Sequence, residues 1–127
     1  MEKNTKDFCT EIISIGYLYD LYKRQRITFI EKINRNKWNK NRRNNYISCL
    51  KKNYPTKPLI CFRKIEDNFL NYHIHDGYNR IKSIIKYLTK NENINSQILQ
   101  KQIVLEIIPE YFCLLYTSDA ADEGWCV

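Results

Sequence analysis

The residues most suited to chemistry lie in the stretch "HIHDGYNR", where a β-branched, aromatic run gives way to a helical pattern. Asp76 ends the run and stands where a helix N-cap is expected, and Gly77 permits backbone conformations that other residues resist. The N–H groups of the next residues have no partner inside a helix, so this turn is a potential anion site. Arg80 adds a planar, permanently charged fork suited to phosphate oxygens. The alternative is structural, with Asp76 capping the helix, Gly77 making the turn and Arg80 pairing with a carboxylate.

Two histidines precede this turn. His73 and His75 are two residues apart, so in a strand they share one face. Zinc needs a third and a fourth ligand, which are not evident, and the five cysteines show no Cys-x-x-Cys spacing. We therefore expect no firm metal site at His73 and His75, and we keep proton transfer by His75 as a weaker alternative.

A second candidate region is the basic segment "KWNKNRRNN". Its cations can contact nucleic acid, or they can form a solvated surface. The candidate nucleic-acid contacts are Lys37, Lys40, Arg42 and Arg43.

The charge balance of the chain favours a polyanionic partner. The 127 residues carry a net charge of +7, while three acidic and no basic residues lie in 113–127, so residues 1–112 carry +10. Alternatively, the excess of positive charge serves solubility and reflects an AT-rich gene, whose codons favour lysine. There is no run of eighteen apolar residues and the N-terminus does not resemble a signal peptide, so we expect an intracellular protein without a membrane partner.

The composition changes near residue 113. Residues 1–112 contain no alanine, whereas "CLLYTSDAADEGWCV" contains two and resembles a translated sequencing adapter. We therefore predict one domain over residues 1–112, truncated at its C-terminus, and a non-native tail over 113–127. A flexible natural C-terminus is the alternative.

The elements that must position these residues follow from periodicity. Apolar positions predict a helix at 16–24, a strand at 27–33, a polar loop at 34–45 and an amphipathic helix at 42–54 that uses Tyr46, Cys49, Leu50 and Asn53. A hairpin follows, with strands at 59–65 and 69–76 and a turn at 66–68. Next come a helix after Gly77 with an apolar stripe at Ile81, Ile84, Ile85 and Leu88, a loop at 91–97 and a strand at 102–108. The predicted class is α+β, with a small mixed sheet and packed helices.

The order of these features resembles a known family. The segments "INRNKWNKNRRNNYISCLKKNYPTKPLICF" and "YHIHDGYNRIKSIIKYL" are similar to the GmrSD-type restriction endonuclease N-terminal domain family, over roughly residues 12–108. That family has the ParB/sulfiredoxin-like fold and an Asp-Gly-Gln-Gln-Arg motif, and divergent members resembling those of large DNA viruses carry Asp-Gly-Asn-Asn-Arg. Here the motif is Asp-Gly-Tyr-Asn-Arg, so Tyr78 replaces an amide that could donate and accept at once.

The resemblance implies a function and assigns roles to residues. It implies a nucleotide-dependent DNA nuclease or NTPase that uses Mg²⁺ and a nucleoside triphosphate, often with a downstream His-Asn-His nuclease domain. Asp76 would orient a divalent ion or water and Asn79 the phosphate chain. The implied phosphate contacts are Gly77, Arg80 and Arg35, and Trp38 matches a family aromatic that we expect to pack under the loop. The alternative is a catalytically degenerate module of the same fold that binds nucleic acid or protein.

Overall fold

The computed structural model describes residues 8–30, 37–90 and 96–111. These residues form five strands and four helices, which confirms the predicted α+β class. In chain order they are β1 (Cys9–Ser14), α1 (Ile15–Lys23), β2 (Ile27–Phe29), α2 (Lys40–Lys51), β3 (Leu59–Glu66), β4 (Phe69–Asp76), α3 (Tyr78–Lys90), α4 (Ser96–Gln100) and β5 (Gln102–Ile107).

The strands form one mixed sheet in the order β1-β5-β3-β4-β2. β3 pairs antiparallel with β4, as the hairpin prediction required, and β5 pairs antiparallel with β1. The β3–β5 and β2–β4 pairs are parallel. Because β4 lies beside both β3 and β2, the strand that leads into Asp76 is held on both edges.

One contiguous apolar core joins the helices to the sheet. It includes the whole predicted stripe of α3 (Ile81, Ile84, Ile85 and Leu88) together with residues of the other three helices and of every strand except β2. Burial of such side chains contributes about 1.5–3 kcal/mol each. The core therefore fixes α3 against the sheet immediately after the β4 strand ends.

The hairpin turn has a clear local cause. Asp67 and Asn68 both have positive φ, of 55° and 70°. A two-residue hairpin loop with positive φ at both positions matches the twist of the flanking strands, and Asp and Asn tolerate that conformation. The turn predicted at 66–68 is confirmed.

Helix α2 begins earlier than predicted because of its cap. The Asn39 side chain accepts a hydrogen bond from the Arg42 N–H at 2.9 Å, so residues 40–45 are helical and the prediction of a loop there is wrong. At the other end Asn53 has a φ of 62° and leaves the helix. Of the predicted apolar face, Tyr46 and Leu50 are buried, Cys49 is half-buried and Asn53 is exposed, while Ile47 is the third buried residue.

Other differences concern short elements. Strand β1 lies where the sequence showed only clustered apolar residues, and the short helix α4 includes residues assigned to a loop. β2 is shorter than the predicted strand, and residues 31–33 of that prediction lie outside the described ranges, as does the predicted tail. Within the described ranges, no helix is both long enough and apolar enough to cross a membrane.

Candidate functional site

The glycine of the strand–helix junction is required by packing. Gly77 has a φ of +142°, and a Cβ built on it would lie 2.6 Å from Cδ2 of Leu59. Any other residue would be strained and would also collide with β3. Helix α3 begins at Tyr78, so Asp76 is the last residue of β4 and Gly77, not Asp76, immediately precedes the helix.

Arg80 lies inside the domain. Its side chain is only 7% exposed, and its Nη1 donates to the carbonyl oxygens of Lys57 at 2.7 Å and Pro58 at 3.0 Å. Its Nη2 lies 3.3 Å from Oδ1 of Asp76. The guanidinium thus ties the start of α3 to the segment that enters β3. The alternative that Arg80 pairs with a carboxylate accounts for its contact with Asp76. Phosphate binding by Arg80 stays a prediction.

The carboxylate of Asp76 lies between two cations. Oδ1 faces Arg80, and Oδ2 lies 3.4 Å from Nζ of Lys57. The Asp76 side chain is 19% exposed, so both pairs are shielded from bulk water on most sides. A carboxylate held in this way stabilises the junction.

Asn79 joins the junction to the basic segment. Its Oδ1 accepts a hydrogen bond from the backbone N–H of Trp38 at 3.1 Å, and its backbone oxygen accepts one from Oγ of Ser83 at 2.7 Å. The first bond spans 41 positions of the chain. Asn79 therefore fixes where the loop before α2 lies on the first turn of α3.

Trp38 packs as expected. Its ring meets Tyr46 edge-to-face at a centroid distance of 5.8 Å, and the Arg42 guanidinium lies 4.8 Å from its centroid. Nη1 of Arg43 donates to the Trp38 carbonyl oxygen at 2.8 Å. Trp38 is partly buried and packs against the core, as predicted, and Arg42 and Arg43, two of the predicted nucleic-acid contacts, help to hold it.

A groove runs between α2 and α3, with a volume of about 800 Å³. It brings together Tyr78 and Asn79 of the junction motif and three of the four predicted basic contacts. Of the described residues, six cationic side chains line it: Lys37, Lys40, Arg43, Lys82, Lys86 and Lys90. Among the residues that the structure describes, no carboxylate lines this groove. A recess lined by positive charges concentrates the positive electrostatic potential and attracts anions.

Lys82 lies among aromatic rings at one end of the groove. Its Nζ is 5.7 Å from the ring centroid of Tyr22, 6.0 Å from that of Phe29 and 5.8 Å from that of Tyr78. Phe29 and Tyr78 also pack edge-to-face at 5.0 Å. Tyr78 thus serves as a packing residue of α3 and as part of the groove lining.

Several predicted site residues lie elsewhere. Asp76, Gly77 and Arg80 do not line the groove, and neither does Arg42. Arg35 lies outside the described residues, so its predicted role stays a prediction.

The two histidines have different surroundings. His73 stacks on Phe62 at 4.6 Å and its Nε2 is 3.3 Å from Oε1 of Glu66. Burial lowers the pKa of His75, and the neighbouring Asp76 opposes that shift. Within the ranges described, no group of three or more potential metal ligands is present.

Sequence reasoning assigned no role to Lys82, Lys86 and Lys90. Their spacing of four residues puts them on one helix face, which was the available signal. The sequence could not show that these lysines face α2, because that depends on how the two helices pack. Lys57, which contacts Asp76, carried no sequence signal at all.

No protein-family model matches this chain, and no curated protein or solved structure matches it either.

Proposed function

We propose that this domain binds nucleic acid through the phosphate groups of its backbone, in the groove between α2 and α3. The observation that carries the proposal is the lining of that groove, with six cations and no described carboxylate around about 800 Å³. The +10 charge of residues 1–112 agrees with a polyanionic partner.

The contacts would be electrostatic and therefore sensitive to salt. Each phosphate that a Lys or Arg neutralises releases bound counterions, and contributes about 0.7–0.9 to the slope of log affinity against log salt. If most of the six cations are engaged, the slope is roughly 4–5. Asn79 supports this arrangement by fixing the loop that carries Lys37 to the helix that carries Lys82.

A matched pair of double variants tests the proposal. Lys86→Gln with Lys90→Gln removes two charges from the groove, and Lys23→Gln with Lys52→Gln removes two from surface positions outside it. Binding of labelled DNA is measured by fluorescence anisotropy over a range of salt concentrations. We expect the groove pair to lower the slope by about 1.5–2 and the control pair to change it little. Equal effects of the two pairs would place the binding surface elsewhere, and no binding in low salt would refute the proposal.

A nucleotide-dependent nuclease of the ParB-like class is a second candidate. The observation in its favour is the position of Asp76, which has a partly exposed carboxylate. Asp76 precedes Asn79 by three residues in the sequence, and Asn79 lines the groove. The residues do not by themselves fit Mg²⁺, because Asp76 is already paired with Lys57 and Arg80 and belongs to no described group of three or more potential ligands.

Phosphate release separates the two candidates. Purified protein is incubated with nucleoside triphosphate, Mg²⁺ and DNA, and inorganic phosphate is measured beside the binding titration. Binding without phosphate release or DNA cleavage would support a binding module of this fold. Turnover that is lost in Asp76→Asn, with the fold intact by circular dichroism, would support the nuclease.

A further inference from the structure

The shape of the groove suggests which form of nucleic acid it accepts. The recess lies between two neighbouring helices, and packed helices are about 8–10 Å apart. We infer that the groove binds single-stranded rather than duplex nucleic acid. This inference rests on the proposed function, since it specifies the partner of the same groove.

The cations line both walls of the recess. Lys82, Lys86 and Lys90 recur every four residues along α3, which spaces them by about 6 Å along the helix axis. That spacing is similar to the distance between successive phosphates in an extended strand. Lys40 and Arg43 face them from α2. One sugar–phosphate chain that follows α3 can meet a cation at each step.

Aromatic side chains line the groove beside these cations, and Lys51 lies over one of them, with its Nζ 4.8 Å from the ring centroid of Tyr87. Trp38, Tyr78 and Tyr87 all contribute to the lining. Every base has an aromatic face, so stacking on such rings is the usual way in which proteins hold unpaired bases without reading their sequence. Cations alone would suit any polyanion, whereas cations beside rings suit a strand whose bases are unpaired.

A duplex does not fit the same features. Proteins that read duplex DNA insert a protruding helix or ribbon into a major groove about 12 Å wide. Here the cations flank a recess between helices α2 and α3, so a duplex would lie across its mouth. The stacked bases of a duplex would not reach Tyr87 or Trp38.

The test compares strand forms and a matched pair of variants. Affinities for labelled oligothymidylate and for a blunt duplex are measured by anisotropy at one low salt concentration. We expect the single strand to bind at least tenfold more tightly. Tyr87→Leu should weaken single-strand binding about tenfold and duplex binding less than twofold. The control is Tyr54→Leu, which removes an exposed tyrosine beside Lys52 but outside the groove, and should change neither affinity.

A spectroscopic measurement reports on the same site. The chain has two tryptophans, so Trp125→Phe leaves Trp38 as the only one. Single-stranded DNA should quench the Trp38 fluorescence in this background, with a midpoint that matches the anisotropy titration. Circular dichroism of Tyr87→Leu confirms that the variant is folded before its affinity is interpreted.

The outcomes separate this inference from the proposal beneath it. If neither form of DNA binds, the proposed function fails and this inference with it. If the duplex binds as tightly as the single strand and Lys86→Gln with Lys90→Gln weakens both, the groove binds nucleic acid but the inference is overturned. Preference for single strands that is insensitive to Tyr87→Leu, with no quenching of Trp38, also overturns it.

Discussion

The substitution Arg80→Met tests whether the arginine of the junction motif is primarily structural. Methionine keeps much of the aliphatic stem and removes the guanidinium. The two carbonyl oxygens of Lys57 and Pro58 would lose donors at 2.7 and 3.0 Å, and Asp76 would lose one of its two cations.

The expected cost follows from the burial of the side chain. A hydrogen bond from a charged group contributes about 1.5–3 kcal/mol, and removing one partner of a buried ion pair costs about 3–5 kcal/mol. The Lys57 ammonium still neutralises part of the Asp76 charge. We therefore expect a loss of about 3–5 kcal/mol in the free energy of unfolding, a large fraction of the stability of a domain of this size.

The chain offers a matched control in Arg24→Met. Arg24 pairs with Asp20 at the same four-residue spacing and at 3.1 Å, but its side chain is 67% exposed. Exposed pairs of this kind contribute about 0.3–0.5 kcal/mol. Urea denaturation of the three proteins gives both differences. If Arg80→Met lost less than about 1 kcal/mol, or no more than Arg24→Met, the reasoning that Arg80 ties α3 to β3 would be refuted.

This result also decides how binding data on Arg80 should be interpreted. A variant that unfolds loses every activity, so loss of binding in Arg80→Met would not show contact with phosphate. Groove variants such as Lys86→Gln avoid this problem, because Lys86 is exposed and outside the core.

Two further predictions concern the same junction. Gly77→Ala should lower the free energy of unfolding by about 2–4 kcal/mol, because it combines backbone strain at φ +142° with a 2.6 Å approach of the new Cβ to Leu59. The control is Gly16→Ala, whose Cβ would lie 3.2 Å from Leu99 and which should cost clearly less by the same urea measurement. Equal costs of the two substitutions would contradict this account. The pKa of His75 is lower in the folded than in the unfolded protein, so the unfolded state binds more protons and stability should fall as the pH drops below about 6.5 toward the folded pKa. His75→Asn should reduce that fall in pH-dependent thermal unfolding, and an unchanged pH profile would be evidence against it.

Sequence reasoning recovered the elements that have strong local causes. The four apolar positions of α3 predicted a helix, and all four are buried. The Asp67-Asn68 turn predicted the hairpin for a similar reason, since its residue types suit positive φ. Strand β1 was missed because it has little alternation of its own and is defined by pairing with β5, nearly a hundred residues later.

The candidate site was predicted only in part. The basic segment and the Asn79 region were recognised separately, and the structure brings them together in the groove. Arg80 and Gly77 were expected to face a ligand, but their observed partners are the Lys57 and Pro58 carbonyls and the Leu59 side chain. Sequence could not show these partners, because residues 57–59 meet the junction only through the pairing of β3 with β4.

The sequence by itself determined the α+β class, the hairpin, the amphipathic α3 and the excess of positive charge. Each follows from side-chain type and spacing within a short window, or from composition. Only the tertiary structure decided that Lys37, Arg43 and Lys86 surround one recess and that Arg80 is buried. These facts depend on how α2 and α3 pack on a common sheet, and that packing is fixed by core contacts between segments far apart in the chain.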